Sequence, residues 1–117
     1  MKPYERLDAW RVCHDLVLAV YRVTDSYPAR ELYGLTSQTR RSAASIATNI
    51  AEGSAKRGRR EFRRFLDISL GSLSELSYLL LLARDLGLLE QDAWEEVSAL
   101  RERAGLLVWR LYRSVGT

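Results

Sequence analysis

Apolar positions along this chain recur at steps of three and four, the period of amphipathic helices, and four such stretches are readable. In the first, Trp10, Cys13, Val17, Val20 and Thr24 keep the step while Leu16 and Tyr21 widen the stripe, predicting a helix from Asp8 to Ser26. Asp8 stands as its N-cap, and Tyr27-Pro28 ends it, because proline pushes its predecessor out of the helical region. Ala29 to Tyr33 reads as a short turn of helix. A second helix begins near Thr36, capped by Thr36 or Ser37, with Leu35, Ala43, Ile46, Ile50 and Gly53 on its apolar face. Gly53 and Gly58 bracket its end.

The third helix, Arg59 to Leu86, is the longest, and at 1.5 Å per residue it reaches roughly 42 Å. Phe62, Leu66, Ser69, Leu73, Leu76, Leu80 and Ala83 alternate by four and three, which is a heptad seam. Phe65, Ile68, Ser72, Leu79, Leu82 and Leu86 form a second seam beside it. One wide stripe serves a helix of a small monomeric bundle, so two seams point to burial on two sides, the second against another chain. Gly87 closes this helix as its C′ residue. The fourth helix runs from Gln91 to Ser114 on a seam of Val97, Leu100, Ala104, Leu107 and Leu111, with Trp109 and Tyr112 off that seam. Acidic residues at its start and arginines at its end suit the helix dipole. Short connections favour antiparallel neighbours, so the expected fold is all-α: one up-and-down four-helix bundle over residues 1–117.

Charge sharpens this picture more than bulk composition does. The net charge is +3, yet residues 40–64 carry eight basic and two acidic side chains, leaving the rest of the chain at −3. The basic residues are Arg40, Arg41, Lys56, Arg57, Arg59, Arg60, Arg63 and Arg64. On a helix Arg59, Arg60, Arg63 and Arg64 share an exposed face with Phe62 and Phe65 turned inward, and Lys56 and Arg57 extend it into the loop. Arginine's planar fork suits phosphate and interface carboxylates alike. No aromatic stacking platform stands in this run, so nucleic-acid binding through it is expected to be directed at the backbone. The alternative is a scaffold whose arginines meet an acidic protein partner, or the acidic residues Glu90, Asp92, Glu95 and Glu96 of a neighbouring subunit.

Ser42, Ser45, Asn49 and Glu52, at i, i+3, i+7 and i+10, put a polar face on the second helix. They read either as a polar site or as a structural network that sets helix packing and oligomer state. His14 is the lone histidine and Cys13 the lone cysteine, so no metal site, cofactor site or intramolecular disulfide is expected. No nucleophile–base pair emerges from spacing, and the expectation is a protein without catalytic residues. The N-terminal MKPYERLDAW has no apolar run, and the most apolar window, Tyr78 to Ala83, is too short to span a bilayer. The expected location is therefore the cytoplasm, with no membrane partner.

LDAWRVCHDLVLAVYRVT, YPARELYGLTSQTRRSAASIATNIAEG, EFRRFLDISLGSLSEL and ARDLGLL carry a resemblance to the 23S ribosomal RNA intervening-sequence proteins of bacteria. Its most specific part is Tyr33-Gly34-Leu35-Thr36-Ser37-Gln38, Arg40-Arg41, Ser45-Ile46 and Asn49-Ile50-Ala51-Glu52-Gly53. The resemblance implies an antiparallel four-helix bundle assembled as a ring-shaped homopentamer, with no catalytic residues to carry over. A related branch resembles the accessory protein of diversity-generating retroelements, which implies RNA or DNA and a reverse transcriptase as partners. An axial channel of such an oligomer is a further, weaker place for a small-molecule site.

Overall fold

The computed structural model describes residues 1–116, and they form four α-helices: α1 Asp8–Thr24, α2 Ser37–Ser54, α3 Arg59–Asp85 and α4 Gln91–Ser114. No strand occurs among the described residues. A 3₁₀ turn, Pro3–Arg6, precedes α1. Between α1 and α2 a 3₁₀ turn, Ala29–Glu31, runs into a π-helical turn, Leu32–Thr36, kinked at Gly34.

The ends of the helices differ from the sequence expectation where local chemistry intervenes. Asp8 is not the N-cap of α1; Leu7 holds the extended cap conformation, and Asp8 pairs with Arg11 one turn on. Neither Thr36 nor Ser37 caps α2, because the π-turn feeds straight into it and Thr36 is already helical. The capping acceptor is Glu31, whose carboxylate takes the Leu35 N–H at 3.1 Å. Gly87 does close α3: at φ 77° it donates to Arg84, and Leu88 donates back to Ala83, the paired bonds of a Schellman stop.

The helices bury their seams against each other, with Cys13, Leu16, Ile46, Ile50, Leu66, Leu76, Leu80 and Val108 shut away from solvent. The body measures 44 × 24 × 24 Å, about one long helix in its greatest dimension. Residue pairs fix the neighbours. The Ser69 hydroxyl donates to the Ile46 carbonyl at 2.9 Å, tying α3 to α2. Arg40 Nε donates to Thr24 Oγ1 at 2.8 Å, tying the start of α2 to the end of α1. Arg63, at the start of α3, lies 4.1 Å over the Tyr112 ring at the end of α4, while Arg84 lies 4.3 Å over Trp94.

α2 ends at Ser54, between Gly53 and Gly58 as expected, and at Gly53, in its last turn, a Cβ would come within 2.8 Å of Phe65 Cβ and 2.9 Å of Phe62 Cδ1. Its missing side chain lets the last turn of α2 close onto the first turn of α3.

The second seam of α3 is largely absorbed within the protomer. Phe65 and Leu79 are buried, and Ser72 bonds to α2. Ile68 and Leu86 remain exposed. Helix α3 packs between α2 and α4, so two apolar flanks serve two intramolecular neighbours, and the two seams by themselves do not require a second chain. By length and composition α3 also qualifies to cross a bilayer, with an 18-residue window of mean hydropathy 1.4. Counting only the unbroken Tyr78–Ala83 run missed this. In the bundle, its first seam is turned inward instead.

Candidate nucleic-acid interface

Local chemistry at the start of α3 sets out the basic side chains. Gly58, at φ 85°, turns the chain between α2 and α3 in the left-handed region that glycine tolerates. The Ala55–Arg60 segment around it is exposed throughout, so Lys56, Arg57, Arg59 and Arg60 all face solvent. The Lys56 ammonium stands 5.5 Å from the Phe65 ring centroid, and the Arg64 guanidinium 4.7 Å from it. The buried Phe65 thus anchors two cations. Arg64 also pairs with Glu61 at 3.2 Å, the only ion pair made by this cluster among the described residues.

Arg63 departs from the expected exposed face. It is half-buried, its guanidinium is spread over Tyr112, and its Nε has no hydrogen-bond partner among the described residues. Arg59, Arg60, Arg63 and Arg64 line an open groove of about 750 Å³ together with Glu61, Asp67, Tyr112 and Val115. The end of α4 therefore forms one wall of it, flanked by the exposed Arg110 and Arg113.

Two residues expected as candidates do not join this cluster. Arg40 and Arg41 lie at the other end of α2, roughly 20 Å along the helix from Ser54. Arg40 is committed to structure: it bonds Thr24, pairs with Asp25 at 2.9 Å and lies 4.7 Å over the Tyr21 ring. Arg41 is exposed and borders a separate groove of about 670 Å³ with Tyr33, Ser42, Ser45 and Glu75. The basic surface is therefore Lys56 to Arg64 without Arg40 and Arg41.

Two members of the polar face meet α3. Ser42 Oγ donates to the Ser72 carbonyl at 3.0 Å, and Ser45 and Ser72 share a hydroxyl hydrogen bond of 2.9 Å, so both serve the α2–α3 contact. Asn49 stays within α2, its Nδ2 donating back to the Ser45 carbonyl at 2.8 Å. Glu52 does not belong with them. It makes none of these hydrogen bonds and instead borders a groove with Tyr4, Trp10 and His14 on the α1 side.

The arginine cluster is not without aromatic company, contrary to the sequence expectation. Trp109 stacks on Tyr112 with ring centroids 5.6 Å apart and planes 21° apart, and Tyr112 in turn carries Arg63. The signal for the pair was its i, i+3 spacing off the α4 seam. The expected up-and-down order puts the end of α4 near the start of α3, but sequence does not say which side chains meet there; the structure brings Tyr112 under Arg63. Elsewhere, exposed His14 stacks on Trp10 at 5.1 Å. Burial pushes the Cys13 thiol up to about 12 and the Tyr27 hydroxyl up to about 12, so neither is a ready nucleophile.

The fold and the surface together define an all-α four-helix protein with cations gathered where α2 hands over to α3. The chain belongs to the 23S rRNA-intervening sequence protein family, whose model matches residues 5–108. No individual curated protein matches it.

Proposed function

We propose that this protein is a non-enzymatic, self-associating module whose basic end binds nucleic acid, structured RNA foremost, through phosphate contacts. The observation that carries the reading is the gathering of Lys56, Arg57, Arg59, Arg60, Arg63 and Arg64 against a single paired carboxylate, Glu61, with Arg110 and Arg113 beside them. Cations without carboxylate partners gain most from phosphate, because binding releases condensed counterions. On this reading the helices run antiparallel, up and down, which agrees with Arg63 on Tyr112 and Arg84 on Trp94. The proposal includes self-association as a homopentameric ring in the cytoplasm, for which the exposed Ile68, Tyr78 and Leu86 along α3 offer apolar contact surface. Repetition of the patch around a ring multiplies its affinity by avidity.

Binding of labelled RNA and DNA across a salt series tests this. Six neutralised phosphates of a duplex give a log–log slope of about −5. Arg59→Glu with Arg60→Glu, both on exposed positions, reduces that slope by about 2. Absence of binding at low salt, or binding indifferent to the two substitutions, refutes the reading. Light scattering after size exclusion checks the assembly against five times 13.4 kDa; a monomer rejects it.

A second reading has its own observation. Glu90, Asp92, Glu95 and Glu96 are exposed at the start of α4, away from the arginines. One subunit's arginines then meet this acidic end of another, or an acidic protein partner such as a reverse transcriptase. Pull-down before and after nuclease treatment separates the two readings, since a protein partner survives the nuclease.

A further inference from the structure

We propose that Trp109, carried on Tyr112 beside the arginine groove, is a stacking platform for an unpaired base. The basic end then prefers the unpaired loops and ends of a structured nucleic acid to its duplex parts. The inference rests on the nucleic-acid reading above and names the form of ligand it takes.

The three tryptophans differ in what remains open to a ligand. Trp10 has Tyr4 edge-on at 4.7 Å and His14 stacked at 5.1 Å, so its ring is engaged twice. Trp94 lies under Arg84, next to the Arg84–Asp85 pair and the acidic start of α4. Trp109 is 47% exposed and has one aromatic neighbour, Tyr112. Tyr112 is held in place by Arg63, whose guanidinium meets no carboxylate among the described residues. Trp109 itself stands outside the groove lining and connects to it through Tyr112, which lines the groove together with Arg59, Arg60, Arg63 and Arg64. A strand whose base stacks on Trp109 then needs only to pass Tyr112 to bring its phosphates to those cations. Arg110 and Arg113, both exposed, follow Trp109 on α4.

Duplex ligands hold their bases in the stack and present only the backbone to such a surface. A single strand offers both a phosphate chain and free π-faces, and each stacked base strengthens binding with little regard to sequence. The platform therefore adds selectivity for strandedness to an otherwise general polyanion site.

The test compares a labelled single-stranded oligonucleotide, an abasic strand of the same length and the corresponding duplex, by fluorescence anisotropy at low salt. Trp109→Leu, which keeps an apolar side chain but removes the ring, is expected to weaken single-strand binding roughly 5- to 100-fold. Abasic and duplex binding stay unchanged. Trp109→Phe, which keeps a ring, retains most of the single-strand affinity. Equal losses for all three ligands, or no loss for the single strand, overturn the proposal while leaving the basic surface standing. A drop in oligomer mass with Trp109→Leu also overturns it, since the indole is then a subunit contact. If the unmodified protein binds none of the three, the nucleic-acid reading itself falls.

Discussion

Replacing Gly53 by alanine tests the close approach of α2 to α3 more directly than any change in the core. Alanine is the better helix former, and in isolation the exchange favours the helix by about 1 kcal/mol. The new methyl, however, meets Phe65 Cβ at 2.8 Å, Phe62 Cδ1 at 2.9 Å and the Phe62 carbonyl at 3.3 Å. Two of those three atoms belong to, or are fixed to, the α3 backbone, so no rotamer change clears them. Ordinary carbon contacts lie near 3.5–4.0 Å, so the first turn of α3 must retreat by roughly 1 Å. Overpacking of this kind costs about 1–3 kcal/mol, so set against the propensity gain it leaves a net loss of about 0–2 kcal/mol. Gly71, on the exposed side of α3, is the control: nothing lies within 4 Å of its added Cβ. Gly71→Ala should therefore stabilise by about 0.5–1 kcal/mol. Urea and thermal unfolding followed by circular dichroism resolve both, since 1 kcal/mol moves the midpoint by roughly 3–6 °C at this size. A Gly53→Ala protein stabilised as much as the Gly71→Ala control refutes the packing argument.

Other perturbations have equally definite outcomes. Arg40→Ala removes the hydrogen bond to Thr24 and the pairing with Asp25, and should lower stability by about 1–3 kcal/mol in urea while leaving nucleic-acid affinity unchanged. Gly87→Ala forces a Cβ onto a residue at φ 77° and should cost about 1 kcal/mol in the same assay. Alkaline pH should destabilise the fold: Cys13 rises from 9.0 to about 12 and Tyr27 from 10.0 to about 12, so above pH 9 the unfolded chain releases protons that the folded chain keeps. That stabilisation is whole below pH 9 and drains away towards pH 12, measurable as a falling melting temperature. The Cys13 thiol should likewise react with a disulfide reagent only at the rate of unfolding, and immediate reaction in the native protein contradicts its burial.

Four helices were legible because their period is written in large side chains. The Leu66–Leu73–Leu80 spacing finds its buried face without help from context, and α4 begins and ends where its pattern does. Helix ends were less legible, because they turn on single atoms. Thr36 looks like a cap in sequence, but the π-turn before it has already supplied helical geometry, and Glu31 does the capping from four residues before Leu35. The two seams of α3 illustrate a deeper ambiguity. A helix with two apolar flanks is needed equally by a partner chain and by two neighbours within one bundle, and periodicity alone does not separate those cases. Burial does so here, assigning Phe65 and Leu79 to the interior and leaving Ile68 outside.

The candidate site divides along the same line. Lys56 to Arg64 is contiguous, so its charge density is visible in any window of sequence, and Gly58 marks the turn that exposes it. Arg40 and Arg41 show how the same reasoning misleads. They match in residue type and fall in the same charged segment, yet one helix length separates them from the rest, and Arg40 is occupied by Thr24 and Asp25. Tyr112 shows the opposite error. It stands far from Lys56–Arg64 in sequence, and its neighbours Arg110 and Arg113 read as the basic end of a helix that suits the dipole rather than as part of that cluster. The contact between the start of α3 and the end of α4 brings it under Arg63, with Trp109 stacked on it. A cluster read from charge alone attracts phosphate without regard to what the phosphate links. On the proposed reading, it is the aromatic pair added by the fold that distinguishes an open strand from a closed one.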